Sequence, residues 1–577
     1  MTKDQEVDTS SDQASENREP QASASDTPRA VASRLWGGTP VIPPFTVEFA
    51  KSVQDIQDLI AKCRAGATDV GGQGDSKSVP MAVRNVPVFG EGQGNTFIGQ
   101  GLVLEANVGA TLNLTEYPGF ENRLQFQYNA ERESITCLST AGVWAANKFL
   151  LLKHNRQFPC LPVSSDIQSN VLRIGGLLST GAVGNWSVKE GPLAAHVLSL
   201  GVVTGTGEFR TVALDKTASD EDRQLGQAIL GGYGGYAVIV TAEIATQPAG
   251  TPLPLPRNLA ISASGFMKDA DKLAAKTLDT AGYMTGLCLL FTFNEFDRPL
   301  YTWLQAETRI EESDVTSKPT KPAQPVTVPP IDAAKEPHKS ELSRLWDDIK
   351  GVEHKLVAEV RHIEAEIKSD IKTGEKEFSN GVAKLLNDAI ARIGIALGRH
   401  ATEKLAEQGE TWPPKAEYNV WLNLFFAGPT SCTEFLTKFC DEGIGTPEQI
   451  DLIRNQPEPL TYAPIWIIPM LRSAFENVPM LALPPPDDRD ADGRWVSFIG
   501  IYPGENDAGK MGELSSYLTT VVWPCAQKLG ATMYQVGSVP ITGEELYGDR
   551  WPEVQQLKQT YDPDYILGNG YHLFPES

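Results

Sequence analysis

The sequence predicts an α+β fold in two unlike halves. Three observations lead there: short β-branched runs bounded by glycine turns, helical apolar spacing between them, and a change of character near residue 250. Ordered structure begins at "FTVEFAKSVQDIQDLIAKC", where a short strand precedes a helix whose Val53, Ile56, Leu59 and Ile60 share one face, with Ser52 as its N-cap. The turn-rich "GGQGDS" of 71–76 and a strand-like "GLVLEANV" follow, and "ESITCLSTAG" leads into a helix over "VWAANKFLLLKHN". Clustered glycines in "IGGLLSTGAVGNW" come next. Such glycines mark tight turns, or let a backbone close on a flat or phosphate-bearing ligand. "HVLSLGVVTGTGEFRTVAL" has the β-branched residues and central turn of a hairpin, and "GGYGGYAVIVTAEIAT" places a glycine-rich turn before another strand.

"PAGTPLPLPR" near residue 250 reads as a connection between domains. Beyond it "TGLCLLFTFNEFD" and "EYNVWLNLFFAG" resemble buried strands, and "SCTEFLTKFCDEG" a helix. An interruption lies between these strands. A linker with Pro319, Pro322, Pro325, Pro329 and Pro330 introduces a helical segment over 333–412. There Leu342, Leu345, Ile349, Val352 and Leu356 begin one apolar stripe, Val382, Leu385, Ala389, Ile393 and Leu397 make a second, and Gly374 divides them. Two uses fit: a helical pair packed on its own domain, or a surface for a second copy or another partner. The boundaries that follow are an acidic, Ser-rich disordered tail over 1–40, a first domain over 41–250, a second over 251–515 interrupted by linker and insertion at 316–412, and a C-terminal segment over 516–577.

Composition narrows the function classes. Seventy-three acidic against 50 basic residues give a net charge of −23, which disfavours a general nucleic-acid or anionic-membrane binder. No apolar run is long enough for a spanning helix, and the tail has neither the apolar core of a secretory signal nor the basic character of a transit peptide, so a cytoplasmic location is expected. The seven cysteines are scattered without C-x-x-C spacing, so no metal site is predicted, and neither a nucleophile elbow nor a P-loop is present.

"IGGLLSTGAVGNWSVKEGPLAAHVLSLGVVTGTGE" resembles the central FAD-contacting stretch of the vanillyl-alcohol oxidase and p-cresol methylhydroxylase superfamily, and its pattern is most similar to that of cytokinin dehydrogenases. "GGQGDS" resembles the family's pyrophosphate loop, "GGYGGYAVIVTAEI" its glycine segment before a strand, and "YDPDYILGNGYHLF" its C-terminal closure on the flavin. The resemblance covers roughly 44–250 and 515–577. It implies a two-part FAD-binding domain of the PCMH type with an α+β substrate domain, and an FAD-dependent oxidase or dehydrogenase acting on a C–OH or C–N bond of a small molecule, with oxygen or another electron acceptor. The alternative is a redox-inactive protein of the same fold that serves as a binding or structural partner.

The residues implied are these. Gly71, Gly72 and Gly74 would curl backbone N–H groups around a diphosphate, with Asp75 beside them and Ser76 adding a hydroxyl; taken alone, such a loop is also an ordinary turn. Gly175, Gly176, Gly181 and Gly184 would let the main chain approach the isoalloxazine, with Ser179 and Val183 at positions that contact FAD in the family. Val238 and Ile239 match the strand beside the adenosine part, Tyr534 a tyrosine near the cofactor and a catalytic candidate beside Asp166, and Gly568 and Tyr571 positions that complete the flavin pocket. Asp75 stands where many members carry the histidine that attaches to the flavin, so noncovalent FAD is expected. Asp166 is the nearest match to the aspartate acid/base of cytokinin dehydrogenases, but it lies two residues upstream of the family spacing, where Gln168 stands, and after Ser164 and Ser165 it better suits the cap of a turn or of the following helix. His196 lies among apolar residues, as a core histidine would.

Overall fold

The computed structural model describes residues 46–49, 52–64, 81–84, 110–113, 126–160, 173–184, 187–249, 251–254, 259–260, 262–268, 283–289, 300–309, 418–454, 465–490, 493–505, 507–535 and 541–568. Helices and mostly antiparallel sheets make it a mixed α+β chain. The tail, the "GGQGDS" loop, Asp166, Tyr571 and the helical insertion lie outside the described residues.

Chain order and spatial order diverge first at the small parallel sheet, where Thr46–Phe49, Ala110–Asn113, Met81–Arg84 and Leu567–Gly568 lie side by side. The last strand comes from the far end of the chain, and no local pattern could announce that pairing. The helix Val53–Arg64 forms as its periodicity predicts: Ile56, Leu59 and Ile60 are buried. Its entry is closed reciprocally, the Asp55 N–H donating to Ser52 Oγ and the Ser52 N–H to Asp55 Oδ2.

A five-stranded antiparallel sheet runs in the order Phe126–Asn129, Ser134–Leu138, Ala237–Ala245, Val197–Thr204, Phe209–Ala213. The last two strands are the expected hairpin, turning at 205–208 with the Thr204 N–H donating to the Glu208 carbonyl. The strand Ala237–Ala245 divides its side chains between two cores. Ile239 enters the large core, and Val238 joins Ile56, Ile60, Val203, Ile566 and Leu567 in a smaller cluster.

The second half is built on an antiparallel sheet ordered Thr251–Pro254, Leu300–Arg309, Tyr283–Leu289, Ile465–Leu471, Trp495–Ile501, Leu422–Phe426, Thr532–Met533, with Leu259–Ala260 also on the second strand. All five residues of Leu422–Phe426 and all seven of Trp495–Ile501 are buried, as near-continuous apolar runs require of strands covered on both faces. "SCTEFLTKFCDEG" is helical over Pro429–Leu436 and continues as a π-turn to Glu442.

His196 is the core histidine the sequence suggests. Its Nε2–H donates to the Glu190 carbonyl at 2.8 Å, and burial holds its pKa below the ordinary value against that hydrogen bond. With the folded pKa depressed, the unfolded chain takes up the proton first as pH falls through about 6.5. His196 therefore contributes stability above that pH which is lost towards its folded pKa. Urea midpoints between pH 7.5 and 5 should fall less in His196→Gln than in the parent; equal slopes would show that the imidazole does not titrate on unfolding.

Candidate functional site

The clustered glycines of 175–184 form less of a turn than their composition suggests, because Ile174–Thr180 is a helix. Glycine is a poor helix former, and this helix is held at both ends by tertiary hydrogen bonds. At the start, where helical N–H groups have no partner within the helix, those of Ile174 and Gly175 donate to the carbonyls of Ala141 (3.0 Å) and Ser139 (2.8 Å). At the end, the N–H groups of Gly231 and Tyr233 donate to the carbonyls of Leu178 (3.0 Å) and Ser179 (2.8 Å). The two glycine-rich motifs that the sequence separates by fifty residues are thus bonded to each other.

Gly181 stops the helix in the left-handed region at φ 59°, its N–H and that of Ala182 returning to the carbonyls of Leu178 and Leu177. Any Cβ there would also sit 3.0 Å from the Leu481 side chain. Gly176 and Gly184 differ. Both are half-buried, and a Cβ built on either meets no atom of the described residues within 4 Å. Open space beside half-buried backbone is the space a flat ligand lying against the main chain would need.

Tyr534 closes this region from the second half. Its backbone N–H donates to the Asn423 carbonyl at 2.9 Å, and its ring packs on Phe425 and Phe498 at centroid distances of 5.5 and 6.1 Å. Its hydroxyl lies against the Thr180 side chain and the Val183 backbone, and burial pushes the phenol well above its ordinary pKa despite both neighbours. A phenol held so far above its ordinary pKa is protonated at neutral pH. Arg173, at the start of the helix, has its guanidinium lowered by burial to about 10 and so remains charged at neutral pH.

Of the residues named from the sequence, Gly175, Gly176, Ser179, Gly181, Val183, Gly184 and Tyr534 are gathered at the helix Ile174–Thr180 and its exit. Val238 and Ile239 are 1% and 2% exposed, their side chains committed to the two cores. Gly568 pairs with Ala82 in the parallel sheet.

Three residues that the sequence did not single out organise the surroundings. Tyr233 holds φ 55°, unusual for a bulky residue, and its buried hydroxyl accepts the Gln535 N–H at 3.2 Å. Lys558 and Asp562 form a buried ion pair at 2.5 Å, with exposures of 1% and 0%. The Lys558 ammonium also donates to the carbonyls of Gly235 and Leu567, both at 2.6 Å, and Asp562 accepts the N–H groups of Ile566 and Leu567. Burial depresses the lysine and Asp562 opposes it. The pair therefore ties the "GGYGG" turn to the strand that completes the parallel sheet. A sequence signal existed in the i, i+4 spacing on one helix, but that spacing more often describes an exposed pair.

Among the described residues no group of three or more His, Cys, Asp or Glu side chains is placed to hold a metal ion, and no helix is long and apolar enough to cross a membrane. No family model matches the chain. It is 25% identical to cytokinin dehydrogenase 4 of Oryza sativa subsp. japonica over 415 residues, 70% of this chain and 66% of that protein. Cytokinin dehydrogenase 7 of the same plant is 29% identical over 201 residues, 34% of this chain and 35% of the relative. Cytokinin dehydrogenase 1 of Arabidopsis thaliana is 23% identical over 544 residues, 94% and 80% of the two chains. The matched stretches thus span just under two thirds of the first relative and about a third of the second. Over most of its length the chain is similar, at a distance, to cytokinin dehydrogenases.

Proposed function

We propose that the protein is an FAD-dependent oxidoreductase of the vanillyl-alcohol oxidase type, oxidising a C–OH or C–N bond of a small organic substrate with noncovalently held flavin. The observation that carries this reading is the glycine-lined space at Gly176 and Gly184, closed by Tyr534, on a chain similar to cytokinin dehydrogenases. The residues present suit the group. A flat ring system can approach backbone that bears no side chain, and Arg173 offers a charge that suits an anion.

When bound, FAD supplies the two-electron acceptor, and the chain's own residues bind and orient. Gly175, Gly176, Gly181 and Gly184, with Ser179 and Val183, would line the flavin, and Tyr534 would fix the second half of the chain against that segment. Gly71, Gly72, Gly74 and Ser76 are assigned to the pyrophosphate, Val238 and Ile239 to the adenosine side, and Gly568 and Tyr571 to the C-terminal closure. Asp75, in place of a histidine, provides no usual attachment for the 8α-methyl. Asp166 is assigned as the carboxylate that takes the substrate's proton.

The purified protein should be yellow, and acid precipitation should release its flavin to the supernatant. Colour kept in the pellet would overturn noncovalent binding. A colourless protein that cannot be reconstituted would favour the redox-inactive binding protein, the reading that Asp75 and the misplaced Asp166 support. Asp166→Asn should keep flavin content and slow reduction of the flavin by substrate about 10²-fold or more. An unchanged rate would remove Asp166 from the chemistry.

A further inference from the structure

The helix Ile174–Thr180 has one face that its neighbours leave partly open. Ile174, Gly175, Leu177 and Leu178 are buried, whereas Arg173, Gly176, Ser179 and Thr180 are half-buried. Arg173, Gly176 and Thr180 follow one another at three and then four residues, which stacks them along that open face. No atom of the described residues lies within 4 Å of a Cβ built on Gly176. Its bare backbone is thus flanked by a cation at one end and by Thr180, against the Tyr534 hydroxyl, at the other. With a rise of about 1.5 Å per residue the two ends stand about 10 Å apart along the axis, the scale of a three-ring system.

A neighbouring loop builds the charged end. Gly142 pairs with Arg173 in an isolated antiparallel bridge, and a Cβ on Gly142 would stand 3.1 Å from Arg173 Nη1. The guanidinium therefore lies over Gly142, where any side chain would press on it. Thr140 sits between Ser139 and Ala141, whose carbonyls already accept the N–H groups of Gly175 and Ile174, so recognition at this end falls to side chains. Thr140 is 1% exposed, and its hydroxyl is buried without a hydrogen-bond partner among the described residues. A buried hydroxyl left open in this way costs free energy until a ligand or water meets it.

We infer that Arg173 and Thr140 receive the polar end of a flavin lying along this face, the end that gains negative charge on reduction, and that the Arg173 charge thereby favours the reduced ring. The inference rests on the oxidoreductase reading and adds to it what sets the flavin's electron affinity. A full charge beside a half-buried ring acts through a dielectric well below that of water, whereas a neutral hydroxyl supplies one hydrogen bond. Arg173 therefore governs the reduction potential, and Thr140 contributes to holding the ring.

Sulfite adds to an oxidised flavin by a bond from sulfur to N5, and the sulfur lone pair leaves the ring with an extra negative charge. Its affinity reports a cation beside the ring without any turnover. Titration of the FAD-loaded full chain, followed by bleaching of the flavin band, should show sulfite binding at least about tenfold weaker in Arg173→Gln. The two-electron potential of the same variant should fall by about 30 mV for each factor of ten. Arg173→Lys keeps the charge and should retain most of both properties. Thr140→Val should lower FAD affinity about fivefold, and an unchanged affinity would strike Thr140 from the site. Unaltered sulfite affinity and potential in Arg173→Gln, a lysine variant no better than the glutamine one, or loss of flavin from both Arg173 variants would each overturn the role of the charge; the last would make Arg173 a support of the helix. A parent protein that is colourless and cannot be reconstituted takes the oxidoreductase reading and this inference together, whereas a yellow parent with an indifferent Arg173→Gln loses this inference alone.

Discussion

Gly176→Val should yield a folded protein that has lost its flavin. A Cβ at this position meets no atom of the described residues within 4 Å, and valine is the better helix former, so the described fold has no steric reason to object. The unfolding free energy from urea titration should stay within about 0.5 kcal/mol of that of the flavin-free parent, as expected of a substitution that disturbs no packing. If an isoalloxazine lies against this backbone, the branched side chain takes its place. Overpacking costs of roughly 1–3 kcal/mol then translate into ten- to hundredfold weaker binding. The measurement is flavin absorbance per mole of protein after gel filtration, paired with the urea midpoint. Full occupancy would remove Gly176 from the site, and unfolding would show that the open space is used by the protein itself.

Asp562→Ala should destabilise the protein by about 3–5 kcal/mol, the usual cost of stranding one member of a buried ion pair. Lys558 would retain the carbonyls of Gly235 and Leu567 but lose the Asp562 carboxylate, and the N–H groups of Ile566 and Leu567 would lose their acceptor. Lys558→Met combined with Asp562→Ala should recover part of that loss, because the stranded charge is gone and the two orphaned N–H groups remain. Urea unfolding of the single and double variants gives the cycle. If the double variant were as unstable as Asp562→Ala, the cost would lie in the lost N–H acceptor and not in the charge. Because Gly235 follows the turn bonded to Leu178 and Ser179, flavin content should fall alongside stability in the single variant.

Local elements were largely legible. The helix at 53–64 with its Ser52 cap, the hairpin at 197–213, the strand at 237–245 and the strand and helix at 422–442 follow from periodicity and turn residues, which act over a few neighbouring positions. The glycine segment was legible as special and illegible as a helix. Gly175 and Gly176 argue against helix locally, and the carbonyls of Ser139, Ala141, Leu178 and Ser179 that fix its ends belong to hydrogen bonds closed by tertiary structure. Antiparallel neighbours in the second sheet are equally distant in sequence, so Asn423, Gly500 and Trp466 line up only once three strands are in register.

By itself, the sequence determined which segments have strand or helix period, where glycine leaves backbone bare, and how strongly acidic the chain is. Those properties belong to single residues or short spans. Only the tertiary structure decided that the two glycine motifs bond to one another, that Tyr534 closes on Thr180 and Val183, and that an ordinary-looking Lys558–Asp562 spacing lies in the core. The reason is that burial and partnership depend on what the rest of the chain brings alongside. An i, i+4 ion pair in water and one at 1% and 0% exposure share the same spacing and differ by the desolvation of both charges.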